Sequence, residues 1–264
     1  MLACSARSGC QQGLVSVQGT LIDGDGARLP RTTFTLRADA VAGMRRLFLV
    51  LLLGLCSSTT SYAQNSATPA QATQTRKTSE PYTGDLSVFE SPGRAERLQI
   101  DRVMDLLQIN AGKDVADIGA GSGWFTVRAA RRVSPSGTVF AVDINPKATK
   151  YIERRAQQEN LHNVQVILSE PDDPKLPPHA VDAVLLLKTY HEVEHPVTLL
   201  RNLRGSLKPG ARIGIIERMG NGENHGVNRE VVMQEATEAG YVTEQQLDWK
   251  HDGMDYFLIL TPQE

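Results

Sequence analysis

Between Lys188 and His195 the chain reads KTYHEVEH, directly after the uncharged apolar run AVLLL. Imidazole is the side chain whose charge changes near neutrality, so a histidine at a strand end suits proton acceptance from a reacting hydroxyl. His191 and Tyr190 lie closest to the strand end and are the candidate catalytic pair. His191 is the candidate base, and Tyr190 could orient an acceptor oxygen. Glu217 closes a later strand on the same edge and could polarise His191 or the substrate. Glu194 and His195 read as ordinary residues leading into the next helix, and His225 is the second candidate base. No residue is assigned to a metal.

A second stretch, VADIGAGSGWFT (Val115–Thr126), runs from apolar residues into glycines at alternate positions. A turn this poor in side chains costs conformational entropy, which points to a close approach by a ligand. Gly119 permits the tight turn, and Gly121 and Gly123 let a ligand lie against bare backbone. The helix starting near Trp124 aims free N–H groups at it. Asp143 ends the next strand, where an acid can accept both hydroxyls of a ribose. The dinucleotide fingerprint requires glycine where Trp124 stands, which disfavours an NAD-linked oxidoreductase.

The elements that must position these residues follow from periodicity. RAERLQIDRVMDLL (Arg94–Leu107) places Leu98, Val103, Leu106 and Leu107 largely on one side of a helix. Strands are expected at Val115–Gly119, Thr138–Ile144, Val164–Ser169, Val181–Leu187 and Ala211–Glu217. Helices are expected at Trp124–Val133, Pro146–Asn160, Pro196–Leu207 (ended by KPG) and Asn228–Ala239. Two final strands cover Tyr241–Trp249 and Asp255–Thr261. The apolar strand AVLLL implies burial on both faces, in the middle of a parallel sheet. Alternating strands and helices imply an α/β, doubly wound, mostly parallel seven-stranded sheet with an antiparallel edge strand.

From about Phe89 onward, VADIGAGSGWFT, VFAVDINP, LSEPDDPKLPPHAVDAVLLL and LRNLRGSLKPGARIGIIE occur in the order found in class I S-adenosylmethionine-dependent methyltransferases, which the chain resembles. The resemblance implies a Rossmann-like fold and S-adenosyl-L-methionine as cofactor. It implies that Asp117, Gly119, Gly121 and Gly123 face the methionine part of the cofactor, that Asp143 takes the ribose, and that Glu170 or Asp172 approaches the adenine. The flavour is that of small-molecule enzymes related to quinone-pathway methyltransferases. In such a reaction Tyr190 could also shield the methyl group from water. The alternative is a non-catalytic exported protein that binds a small ligand on the same fold.

Composition bounds the partners. A formal net charge of −2 and the lack of any basic run give no reason to expect a nucleic-acid partner, so the expected partner is a small-molecule substrate. MRRLFLVLLLGLCSSTTSYAQ, from Met44, reads as a signal peptide at 44–63 with cleavage after Ala63, its apolar run too short for a stable membrane span. Residues 1–43 show no clear helical or strand period and read as a non-native or disordered extension. Residues 64–83 read as a disordered linker and 84–264 as the methyltransferase domain. Cys4, Cys10 and Cys56 all precede the cleavage point, so the mature chain holds no thiol. The expected location is the periplasm or cell envelope, or the cytoplasm if the signal is unused. Export conflicts with a cofactor made in the cytoplasm.

Overall fold

The computed structural model describes residues 14–19 and 32–37 by their backbone, and residues 78, 82, 84–221 and 224–264. The chain divides into two compact units, Met1–Ala67 and Thr68–Glu264. The first contains β1 (Leu14–Gly19) and β2 (Thr32–Arg37), paired antiparallel with Leu14 opposite Arg37. This pair corrects the reading of residues 1–43 as lacking a strand period. LVSVQG and TTFTLR are rich in β-branched residues, but each is only six residues long, so the signal is short. The expected signal peptide at 44–63, and the 64–83 segment apart from residues 78 and 82, lie outside the described residues.

The second unit is a seven-stranded sheet with helices. Its strands are β3 (Val115–Ile118), β4 (Val139–Asp143), β5 (Val164–Leu168), β6 (Val181–Leu187), β7 (Leu207–Glu217), β8 (Tyr241–Asp248) and β9 (Tyr256–Pro262). Their order across the sheet is β5-β4-β3-β6-β7-β9-β8. The pairs from β5 to β7 are parallel, and β9 pairs antiparallel with both β7 and β8. The helices are α1 (Arg94–Leu98), α2 (Ile100–Leu106), α3 (Trp124–Val133), α4 (Pro146–Gln158), α5 (Pro196–Arg204) and α6 (Arg229–Glu238).

Successive residues of the central strands divide between two cores, as the period of two requires. Ala116, Ile118, Val184 and Leu186 pack into one apolar cluster, and Val115, Ala183 and Leu185 into another. Both faces of the sheet are therefore covered. After β3 the chain winds outward through β4 and β5, then returns to lay β6 on the other flank of β3. That reversal opens a crevice at the carboxyl ends of β3 and β6, where ligands bind in open α/β sheets.

Two expected boundaries differ. The single helix over 94–107 is two, broken at Gln99, whose φ of 57° is left-handed. The break leaves the Leu98 carbonyl to accept the Trp249 indole N–H at 3.1 Å. KPG does not end α5. It lies inside β7, where the partners of β6 jump from Leu207 to Arg212. Four residues there oppose one, and Gly210 supplies a φ of 77° for the bulge.

Candidate active site

The turn after β3 is left-handed at Gly119, Gly121 and Gly123, with φ of 69°, 55° and 73°. At Gly119 space also matters: a Cβ there would lie 2.1 Å from Thr189 Oγ1. Asp117 stands at the head of this turn, almost fully buried. Its carboxylate accepts from Thr126 Oγ1 at 2.6 Å and from the Thr126 backbone N–H, tying β3 to the first turn of α3. Burial, aided by the neighbouring Asp143 charge, pushes the Asp117 carboxyl up to about 7.

Asp143 closes β4. One carboxylate oxygen accepts the Gly121 N–H and the other the Asn145 N–H, both at 2.8 Å. The Ile144 backbone N–H adds a third donor to this carboxylate. Burial raises this carboxyl too, against the lowering effect of its backbone donors.

A cavity of about 820 Å³ opens beside these residues. Asp117, Gly119, Gly121, Asp143 and Glu170 line it, together with His191, Glu192 and His225. Tyr82, Leu86 and Phe89, from the segment preceding α1, contribute apolar lining, and the rings of Tyr82 and Phe89 meet edge to face at 5.2 Å.

At the carboxyl end of β6 the backbone turns sharply: Lys188 takes a φ of 54°, and Tyr190–Glu192 form one 3₁₀ turn. Left-handed φ in a long side chain stores strain of the kind found at functional sites. The turn buries His191 against Glu217, at the carboxyl end of β7. His191 Nδ1 donates to Glu217 at 2.9 and 3.0 Å to the two oxygens, and the His191 backbone N–H donates to the same carboxylate at 3.2 Å. His191 is 1 % exposed and Glu217 fully buried. With Nδ1 committed, the lone pair falls on Nε2, which is buried with no hydrogen-bond partner. The His225 ring stands edge-on at 5.7 Å, and a Glu192 oxygen lies 3.8 Å from Nε2. Burial pushes the Glu192 carboxyl up to about 7.

The structure therefore brings Asp117, Gly119, Gly121, Asp143, Glu170 and His191 to one cavity, with Glu217 behind His191. Gly123 lies one step back, where a Cβ would press on Ile152 at 3.1 Å. Two candidates are elsewhere. Tyr190 is fully buried in the core, its hydroxyl bonded to Glu235 of α6 at 2.9 Å, because the 3₁₀ turn sends consecutive side chains in different directions. It is not placed to orient an acceptor. Asp172 does not line the cavity: its carboxylate accepts from His195 Nδ1 and its carbonyl from Asn202, both reaching back from the α5 region. Glu170, in contrast, faces the cavity and pairs with Lys175 at 2.6 Å.

Three contributors carry no local sequence signal. Arg94, at the start of α1, lines the cavity; its guanidinium stacks on Trp124 at 4.4 Å while pairing with Asp252 at 3.2 Å. Thr189 packs under the glycine turn. Glu192 joins His191 and His225 in a group whose potential metal-ligand atoms lie within 4.8 Å of one another. His191 and His225 are 34 positions apart in sequence, so only the fold shows it.

Residues 115–210 match the family model described as a methyltransferase domain. The nocamycin O-methyltransferase of Saccharothrix syringae is 32% identical over 115 residues, covering 43% of this chain and 41% of its own length. The ubiquinone/menaquinone biosynthesis C-methyltransferase UbiE of Pseudomonas fluorescens is 29% identical over 126 residues, covering 47% of this chain and 49% of its own. The chain thus spans less than half the length of these relatives. A crystal structure of a SAM-dependent methyltransferase from Aquifex aeolicus superposes with a TM-score of 0.61 at 23% identity, over 66% of this chain and 95% of that one. The [4+2]-cyclase SpnF shares the fold at a TM-score of 0.56 and 15% identity, over 72% of this chain and 88% of its own. Residues 115–210, which carry the glycine turn, Asp143 and His191, are thus similar to a methyltransferase domain, on a fold shared with solved SAM-dependent methyltransferases.

Proposed function

We propose that the protein transfers a methyl group from S-adenosyl-L-methionine to a small-molecule acceptor, with His191 at the acceptor's reacting atom. The observation that carries this reading is the continuity of one cavity, from the Asp143 carboxylate and the glycine turn to the unpartnered Nε2 of His191.

The residues present fit the cofactor. The glycine turn is a cradle that side chains would fill, and the Asp143 carboxylate lining the cavity is an acceptor for ribose hydroxyls. Asp117 offers a carboxylate to a cation, and Arg94 offers a guanidinium to a carboxylate on the same wall. Glu170 faces the end of the cavity beyond Asp143 and is the residue assigned to the adenine.

The bound cofactor supplies a methyl group on a sulfonium, an electrophile that needs no further activation. The chain's own task is to align the nucleophile and remove its proton. His191 Nε2 accepts that proton, and the buried Glu217 carboxylate then stabilises the imidazolium through Nδ1. Leu86, Phe89 and Tyr82 give the cavity apolar lining. The acceptor class consistent with a buried imidazole is a phenol, enol or hydroxyl. We further propose export directed by 44–63, supported by the sequence pattern alone.

The test is product formation. S-adenosylhomocysteine should accumulate when the protein meets the cofactor and a panel of phenolic, enolic and hydroxy-acid acceptors, and His191→Ala should suppress it. No turnover across the panel, with the cofactor bound, would favour the non-catalytic ligand-binding alternative.

A further inference from the structure

The base assigned to His191 leaves two observations unused and gives a third a second meaning. A Glu192 oxygen lies 3.8 Å from His191 Nε2, close for a side chain that is half-buried. His225 arrives from the loop between β7 and α6 to complete a cluster with ligand atoms within 4.8 Å of one another. Nε2 itself is buried, aimed into the cavity and unpartnered.

We infer that His191 Nε2, a Glu192 carboxylate oxygen and a His225 ring nitrogen bind a first-row divalent metal ion of the zinc or iron(II) kind at the acceptor end of the cavity. The donor set selects the ion. Two imidazoles and one carboxylate suit zinc, iron or cobalt, whereas magnesium and calcium take oxygen ligands. The spacing is slightly wider than bonds of about 2.0–2.2 Å to one ion allow, so small side-chain rotations must bring the three together.

The surroundings support the inference independently. A metal-bound histidine generally gives its other ring N–H to a carboxylate, which fixes its tautomer and strengthens the ligand. Glu217 does this for His191, at 2.9 Å. Glu192 and Glu217 together supply two carboxylates to offset the charge of the ion. Three protein ligands leave coordination positions open, and the open side is the cavity.

The role of the ion rests on the function proposed above: an acceptor hydroxyl bound at the open position would lose its proton to solvent more readily, and its oxygen would be fixed for in-line attack. Nε2 would then serve as a ligand holding the ion that activates the acceptor. The existence of the site does not depend on the cofactor.

The experiment uses the full chain without an affinity tag, stripped with chelator and dialysed. Zn²⁺ is titrated calorimetrically and Co²⁺ by visible absorption, and S-adenosylhomocysteine binding is measured on the same samples. The expected result is one saturable ion whose binding is lost in His225→Ala and Glu192→Gln. Glu217→Gln should weaken it by about 10–100-fold, the usual effect of removing an outer-shell partner. S-adenosylhomocysteine affinity should stay near wild type in His225→Ala, showing that the variant is folded. Zn²⁺ held elsewhere, by Cys4, Cys10 or Cys56 for example, would be unmoved by His225→Ala. Equal binding in wild type and that variant, or no saturable Co²⁺ signal, overturns the site while leaving the methyltransferase reading intact. Ion binding as expected without S-adenosylhomocysteine binding would support the site and overturn the cofactor reading.

Discussion

Glu217 grips His191 at two points, through Nδ1 at 2.9 Å and through the backbone N–H at 3.2 Å. One carboxylate thereby fixes both the ring tautomer and the path of the chain leaving β6. The pair joins the ends of two adjacent parallel strands, so the rigidity of the sheet is passed directly to Nε2.

His191→Ala should lower turnover by roughly 10²–10⁴-fold, the range for losing a positioned proton acceptor. S-adenosylhomocysteine affinity should remain near wild type, because the glycine turn and Asp143, and not His191, are the groups assigned to the cofactor. Steady-state kinetics paired with calorimetry separates the two quantities. Equal losses in both would mean that His191 supports the cofactor or the fold.

Glu217→Ala should destabilise the domain by about 1–3 kcal/mol, since it leaves the buried His191 donors without an acceptor. Glu217→Gln keeps an acceptor oxygen and should unfold nearer to wild type in urea, yet still turn over slowly. A glutamine variant with full activity would show that the charge on Glu217 is not used.

The glycines separate fold from binding. Gly119→Ala places a Cβ 2.1 Å from Thr189 Oγ1 on a left-handed residue, so it should lower the melting temperature. A Cβ at Gly121 meets only Phe89, at 3.9 Å, so Gly121→Val avoids a clash; its φ of 55° still costs some stability, and the variant should also weaken cofactor binding in the folded fraction. If Gly121→Val binds as well as wild type, the ligand does not lie against that backbone.

Asp117 gives a pH signature. Burial raises its carboxyl to about 7 in the folded chain, well above the unfolded value near 4. Between those values the folded state holds a proton that the unfolded state has released, so this group makes stability fall as pH rises from about 4 to about 7. Below that window its contribution is fully present. Asp117→Asn should flatten this part of the curve relative to wild type and raise stability at pH 8. Parallel wild-type and variant curves from thermal melts would contradict the assignment.

Much of this site was legible in the chain because its signals are local. The glycine turn, Asp143 three residues before the proline that starts α4, and His191 just past an all-apolar strand each follow from short-range pattern. The missing parts depend on tertiary geometry. Tyr190 and His191 are neighbours in sequence, but a 3₁₀ turn sends one to Glu235 in the core and the other to the cavity. Asp172 sits two residues from Glu170, and pairing with His195 keeps it off the cavity wall. Arg94 reaches the site through stacking on Trp124 and has no periodic signature; His225, named as the second candidate base, is brought beside His191 and Glu192 only by the loop after β7. The helix break at Gln99 depends on Trp249, 150 residues away.

Processing near Ala63 is an expectation from the sequence. Mass spectrometry of the native protein should find an N-terminus at or near Gln64. A chain beginning at Met1 in the cytosolic fraction would remove the export proposal and with it the question of cofactor supply.

The central claim is that this cavity holds S-adenosylmethionine through the glycine turn and Asp143. Its most direct test is calorimetric titration of S-adenosylhomocysteine into wild type and Asp143→Ala, with NAD as the comparison ligand. The account predicts one site per chain in wild type, weakened by about 1–3 kcal/mol in Asp143→Ala, and no comparable binding of NAD. Absence of S-adenosylhomocysteine binding, or the same affinity in Asp143→Ala, would contradict it.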